Sequence, residues 1–367
     1  VLGNGLLTST GEVWRKHRRL IQPIFHRSRM ALMAQRMIEV GERLLDRWKQ
    51  QDLNAPVDIA AEMMQITLEI ITQTMSSTSV LKDIHQLRPA LQIVLRYAFN
   101  AFHNPLRMPE WVPTPANREF KQAKAMIDRL MYGLIEERRR SGERRDDLLD
   151  LLLNAKDEET EEGLSDRQLR DEMLTIFAAG HETTANALTW AWYLLAIHPE
   201  VRARLHQELA DVLNGRPITG DDLPRLPYTR AVVDEALRLY PPAPAIQRRA
   251  TTNTTLGGHP IPAGSIILVG IRNIQRHRDF WQDPDTFSPA RFLHEDTRPC
   301  PRFAYLPFGG GARACVGSHF ALVEGPLLLA LIAQRYELTL VPGHPVEPEV
   351  TITLRPRYGI KMTRQRR

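Results

Sequence analysis

The segment Phe308-Gly309-Gly310-Gly311-Ala312-Arg313-Ala314-Cys315-Val316-Gly317 sets three consecutive glycines ahead of a single cysteine, with a helical pattern starting just after it. Glycine has no Cβ, so such a backbone can pass close to something flat or bulky. A thiol at the start of a helix feels the positive end of the helix dipole and unpaired N–H groups, and Arg313 adds a positive charge two residues earlier. Both effects are expected to lower the Cys315 pKa and favour the thiolate, the form that a metal ligand or a nucleophile requires. Three other readings of these residues remain open. One is a buried, inert cysteine, because free cysteine is among the most buried residue types. Another is a zinc site from Cys315, His319, Cys300 and His294, although the paired close spacing of such sites is absent. The third is a Cys–His nucleophile, for which the sequence specifies no base.

Upstream, a long helix is predicted to begin at Ser165, where Ser165 and Gln168 have capping-box spacing, and to stop at His198-Pro199. Midway it carries Ala179-Gly180-His181-Glu182-Thr183-Thr184. Glycine costs up to about 1 kcal/mol relative to alanine inside a helix, and threonine is a mediocre helix former. Thr183 can bond back to the carbonyl of Ala179 and open a groove. Ile176, Ala179, Gly180, Thr183 and Ala187 are expected on one narrow face, against which a flat group could lie, with Glu182 beside it. The same small residues also suit a close helix–helix crossing.

Three further groups carry charge at informative spacing. Glu235 and Arg238 stand three apart on a helix predicted over Tyr228 to Tyr240, a pair that gives any helix about 0.2–0.5 kcal/mol. Trp14 and Arg18 share a face of the basic helix that contains Trp14-Arg15-Lys16-His17-Arg18-Arg19. After Pro241-Pro242, Arg248 and Arg249 lie in a predicted strand whose alternation sends only one of them inward; Arg248 is taken as that one.

The 367 residues are 43% hydrophobic and 25% charged, an ordinary globular balance, and are enough to enclose a cofactor. The net charge of +5 is spread widely, and no nucleic-acid reading motif accompanies the basic segments, so nucleic acid is not an expected partner. A basic patch that docks an acidic electron-transfer partner is the narrower reading. The dense charge run from Glu136 to Asp147 reads as a solvated helix end and loop. Two cysteines make no disulfide framework, which fits a reducing cytoplasm. The longest apolar run, Leu327 to Ala333, is far short of the roughly 20 residues that span a membrane. Helical periodicity dominates as far as Tyr240 (Met30 to Trp48, Ala55 to Ile71, Glu200 to Leu213). Short strands and hairpins follow over Thr251 to Ile271, then a last helix from about Val316 to Tyr336 and a β-rich tail. The expected class is mainly α, an α+β fold with a large helical part and small C-terminal sheets.

Phe308-x-x-Gly311-x-Arg313-x-Cys315-x-Gly317 resembles the haem-binding loop of the cytochrome P-450 family, with every fixed position filled. The resemblance implies that haem b, iron protoporphyrin IX, is bound with Cys315 as the iron ligand. It also implies that Phe308 packs near the sulfur side of the ring, that Gly309 and Gly317 border the cofactor, and that Arg313 pairs with a propionate. Ala179-Gly180-x-Glu182-Thr183 is similar to the family's oxygen-activation motif, which implies a proton-delivery role for Glu182 and Thr183, with Ala179 and Gly180 against the haem. Trp14-x-x-x-Arg18 matches a family motif whose side chains donate to a propionate, and Arg248 is a third such clamp. Glu235-x-x-Arg238 with Arg291 of Pro289-Ala290-Arg291-Phe292 resembles the family's structural triad, although Ala290 stands where the family often has Glu. Taken together, these matches imply a bacterial-type haem-thiolate monooxygenase acting on a hydrophobic small molecule. Its electrons would come from a separate ferredoxin or flavoprotein reductase, since no flavin or nicotinamide fingerprint occurs here. A non-catalytic haem-binding protein, or an inactive truncated form that binds haem without turnover, is the alternative. The chain opens at Val1 rather than Met, and is expected to be a single catalytic domain, 1–367, lacking the family's N-terminal segment.

Overall fold

The structure is a computed structural model that describes every residue except 1, 27–28, 77–80, 104–107, 146, 158–160, 294–300 and 302. Helices fill the first two thirds: α1 (Gly11–Ile21), α2 (Met30–Lys49), α3 (Ile59–Ser76), α4 (Leu81–His103), α5 (Pro115–Ser141), α6 (Leu148–Asn154), α7 (Asp166–Ile197), α8 (Pro199–Leu213) and α9 (Pro227–Leu239). One two-residue strand, β1 (Val57–Asp58), interrupts them. Then come β2 (Ile246–Arg249), β3 (Thr254–Leu256), β4 (His259–Ile261), β5 (Ile266–Val269) and the short α10 (Ile271–Ile274). The chain ends with α11 (Ser318–Ala333), β6 (Tyr336–Leu340), β7 (Pro348–Val350), β8 (Leu354–Pro356) and β9 (Lys361–Arg366). This is the mainly helical α+β class expected from the sequence.

Local chemistry explains the boundaries of the central helix. The Ser165 side chain accepts from the Gln168 backbone while Gln168 accepts from the Ser165 backbone at 2.9 Å, a reciprocal cap at the start of α7. Pro199 forces the preceding His198 out of helical geometry, so α7 stops there, and the same proline occupies the first turn of α8. At the far end of α8, Asn214 takes a left-handed cap with φ 46°.

The core forms where α2, α3, α7, α9 and α11 meet. Every residue from Leu327 to Ala333 on α11 is fully buried, so the apolar run in the sequence belongs to a helix enclosed on all sides. Each leucine so enclosed contributes about 1.5–3 kcal/mol relative to an exposed one. A Cβ on Gly41 would lie 2.1 Å from the Leu331 side chain, so the glycine lets α2 come against α11. The last helix is shorter than expected: Gly317 caps it, and Tyr336 already belongs to β6.

The sheets are small and antiparallel. β9 lies between β1 and β6, with Leu338 opposite Arg364 and Val57 opposite Met362. β2 pairs with β5, β3 with β4, and β7 with β8. Among the described residues no helix is long and apolar enough to cross a membrane.

The charge run is not wholly solvated, contrary to expectation. Arg138 is buried, donating to the two oxygens of Asp147 at 2.8 and 2.7 Å and also to Asp150. After α5 ends at the left-handed Gly142, the chain folds back and brings Asp147, the cap of α6, onto Arg138. The hydrogen bonds that Arg138 donates to Asp147 and Asp150 outweigh burial and hold its guanidinium above its ordinary pKa.

Candidate active site

The cysteine segment is a folded-back loop. The Cys315 N–H donates to the Phe308 carbonyl at 2.9 Å, and those of Gly309 and Ala314 donate to Leu306 and Gly311, both at 3.0 Å. Gly309 and Gly311 take φ of 67° and 71°, values that side chains disfavour. A Cβ at Gly309, Gly311 or Gly317 would meet nothing within 4 Å, so the loop borders open space. Phe308 is half-buried and packs against the main core.

Cys315 is solvent-exposed, yet the protein around it pushes the thiol pKa up by desolvation, against opposing effects from the Gly317 N–H and Arg18. The thiol is thus accessible and yet set among protein groups that strip it of bulk water. The expected lowering is therefore reversed. The helix begins at Ser318, so Cys315 stands outside the first turn where the dipole acts, and Arg313 turns away to the Ser9 carbonyl at 2.8 Å. Metal coordination deprotonates a thiol outright, whatever its free pKa. Among the described residues no three of His, Cys, Asp or Glu group to hold a metal, and His294 and Cys300 of the zinc reading lie outside those residues.

Cations collect beside this thiol. Arg18 is close enough to favour the Cys315 thiolate, and it donates to the Ala314 carbonyl at 2.8 Å. The Arg313 guanidinium lies 4.5 Å from the centre of the Trp14 ring. Arg248 is near enough to help depress the Arg313 pKa, after the larger effect of burial. Arg249 instead donates to the Gly264 carbonyl at 3.3 Å, so alternation along β2 aims Arg248 at the cluster. Among the described residues none of Arg18, Arg248 and Arg313 has a carboxylate partner in an ion pair. Like charges gathered without a counter-ion suit an anionic group, and a porphyrin carries two carboxylates. The open space beside the loop, the accessible Cys315 thiol and this cluster fit haem.

The middle of α7 supplies another open surface. From Leu169 to Leu195 this helix is buried except at Ala179, Gly180, Glu182, Thr183 and Tyr193. Thr183 donates to the Ala179 carbonyl at 2.8 Å, the back-bond expected of it. The open face is narrower than predicted, because Ile176 and Ala187 are buried. Gly180 also serves the helix crossing: its Cβ would lie 3.1 Å from Ile71 of α3, the helix against which α7 packs most extensively. His181 is buried, with its pKa lowered by desolvation and Nδ1 bonded to the Phe177 carbonyl at 2.7 Å. Glu182 accepts at 2.5 Å from the hydroxyl of Thr353, a residue on the turn between β7 and β8 that the motif reading did not contain.

The Glu235–Arg238 pair is fully buried rather than superficial. Arg238 donates to both Glu235 oxygens at 2.6 and 2.8 Å and to the carbonyls of Gln275, Pro284 and Thr286. Arg291 reaches Glu235 at 3.0 Å, where the Ser288 N–H also donates at 2.9 Å. Gln275 was not foreseen. Its amide nitrogen donates to the Leu237 and Arg238 carbonyls, and its oxygen accepts from the Leu306 N–H at 2.8 Å. Since Leu306 in turn accepts from Gly309, a continuous chain of hydrogen bonds joins the buried pair to the cysteine loop.

Comparison with known proteins agrees with this geometry. The family model for cytochrome P-450 matches residues 1–363. Cyclooctatin synthase of Streptomyces melanosporofaciens is 37% identical, over 96% of this chain and 77% of that protein. Cyclooctat-9-en-7-ol 5-monooxygenase of the same organism is 38% identical, over 94% and 74%. Pentalenene oxygenase of Streptomyces avermitilis is 34% identical, over 96% and 78%. The crystal structure of the cytochrome P450DA haem domain superposes with a TM-score of 0.92 at 32% identity, covering all of this chain and 80% of that one.

Proposed function

The chain belongs to the cytochrome P-450 family, and from that membership we propose a division of labour among its residues and a class of substrate. The protein is a haem monooxygenase that places one oxygen atom from dioxygen into a hydrophobic organic substrate, with electrons from a redox partner. The observation that carries the site assignment is the accessible Cys315 thiol beside arginines that lack carboxylates. Cys315 would hold the iron, and Trp14, Arg18, Arg313 and Arg248 would hold the propionates. When bound, the haem supplies the centre at which dioxygen is reduced, and thiolate ligation favours O–O cleavage.

The remaining chemistry belongs to side chains. The back-bonded Thr183 has its one hydroxyl proton on the Ala179 carbonyl and its oxygen on the open stretch of α7, so it accepts a hydrogen bond there and passes a proton on only when the back-bond opens. Glu182, one residue earlier, resupplies protons from its carboxyl group, and an acid beside an alcohol suits such a relay. Glu235, Arg238, Arg291 and Gln275 hold the segment that presents the loop, so their part is structural. The whole chain acts as one catalytic domain, and a ferredoxin or a flavoprotein reductase supplies the electrons.

The substrate class is drawn from the relatives. Two are named for an unsaturated carbocycle, pentalenene or cyclooctat-9-en-7-ol. We therefore assign an apolar, ring-containing terpenoid. A panel of cyclic terpenes, linear fatty acids and steroids, screened by haem spectral shift and then by product formation with surrogate redox partners, tests this. Shifts and products confined to the cyclic terpenes support it, and turnover of fatty acids or steroids alone contradicts it.

A further inference from the structure

Glu182, Asn186 and Trp190 are spaced four apart and form one stripe along α7. All three grip the same turn. The Trp190 indole N–H donates to the Leu354 carbonyl at 3.1 Å, the Asn186 amide donates to the Thr353 hydroxyl at 3.0 Å, and that hydroxyl donates to Glu182 at 2.5 Å. From the other side the Leu354 N–H donates to the Pro242 carbonyl at 2.9 Å, so the turn is pinned between α7 and the segment after α9. Thr353 and Asn186 are buried, 5% and 2% exposed.

The direction of this chain of hydrogen bonds is fixed by its members. A carboxylate can only accept, and a threonine hydroxyl has a single proton. With that proton on Glu182, the hydroxyl oxygen must accept from Asn186, so the amide sets the hydroxyl and the hydroxyl sets the carboxylate. The 2.5 Å contact is a short hydrogen bond, at the close end of the range for an O–H donor. One oxygen of Glu182 is thereby committed to the turn, and the other is left for proton exchange. We propose that Thr353, oriented by Asn186, is a positioning residue that holds Glu182 in the rotamer from which it resupplies protons beside Thr183. The inference rests on the proton-delivery reading of Glu182.

Thr353→Val removes the hydroxyl at nearly constant volume, and Thr353→Ser retains it. In the holoprotein with a turned-over substrate, the product formed per reductant consumed is expected to fall clearly below the wild-type ratio in Thr353→Val, because a proton donor held off its productive position delivers less effectively. Thr353→Ser restores it, while ferrous–CO spectra stay unchanged in both. A second readout needs no turnover. The infrared carboxylate band assigned to Glu182, by difference against Glu182→Gln, shifts in Thr353→Val and returns in Thr353→Ser. If Thr353→Val does not fold, Thr353→Ala removes the same hydroxyl and repeats both measurements. Full coupling and an unmoved band in the variant lacking the hydroxyl overturn the inference, provided that Glu182→Gln itself lowers coupling. If Glu182→Gln leaves coupling at the wild-type level, the proton-delivery reading falls, and the positioning role with it.

Discussion

At the scale of single residues, the fully buried Glu235–Arg238 pair is compensated by Arg291 and by the carbonyls of Gln275, Pro284 and Thr286. Glu235 and Arg238 could be paired by spacing, but their zero exposure comes from residues some 40 to 50 positions later. Gln275 and Thr353 carried no sequence signal, since each is an ordinary residue whose partner is brought to it by the fold; Thr353 and Glu182 are 171 positions apart. The Cys315 pKa was misjudged for the same reason, because desolvation depends on everything around the thiol and cannot be read from its neighbours in the chain. Removing one partner from a fully buried ion pair leaves an uncompensated charge, which costs about 3–5 kcal/mol. Glu235→Ala is therefore expected to lose haem and unfold at markedly lower denaturant concentration, as followed by absorbance and circular dichroism. Gln275→Leu should cost less, about 1–3 kcal/mol for the unpaired Leu306 N–H, with the haem more readily extracted than from wild type.

At the scale of elements, Ser165 and Pro199 set the ends of α7 almost to the residue, whereas the helix expected over Ala55 to Ile71 runs Ile59–Ser76, because Val57–Asp58 is drawn into pairing with β9. The irregular return after α5 was not foreseen, because the Arg138–Asp147 contact depends on a left-handed turn that the charge run conceals. The packing of α11 on α7 holds a second hidden group. Glu324 is fully buried, neither carboxyl oxygen has a hydrogen-bond partner of ordinary length among the described residues, and burial raises its pKa from 4.5 to about 8 despite the nearby Thr184 hydroxyl. A carboxyl protonated when folded but ionised when unfolded makes stability fall as pH rises. Its contribution is fully present below about 4.5 and is lost as pH approaches about 8. Thermal midpoints measured from pH 5 to 8 should thus decline in wild type and decline less in Glu324→Gln, which cannot ionise. Equal slopes for the two proteins would contradict this account of Glu324.

At the scale of the whole molecule, the fold gathers three arginines without carboxylate partners among the described residues beside an accessible thiol, a setting that suits an anionic group. The thiol and the cluster of Arg18, Arg248 and Arg313 come from segments up to about 300 positions apart, brought together by the fold. A ligand that binds only the folded state stabilises it by mass action. Apoprotein prepared by haem extraction is expected to melt well below the holoprotein and to regain the higher midpoint on adding haem; unchanged melting would place haem outside the core. The most direct test of the account concerns the sulfur of residue 315. Purified Cys315→His, reduced and exposed to carbon monoxide, should lose the absorption band specific to thiolate ligation and show that of an imidazole-ligated haem. A band identical to that of the wild-type protein would contradict the assignment of Cys315 as the iron ligand.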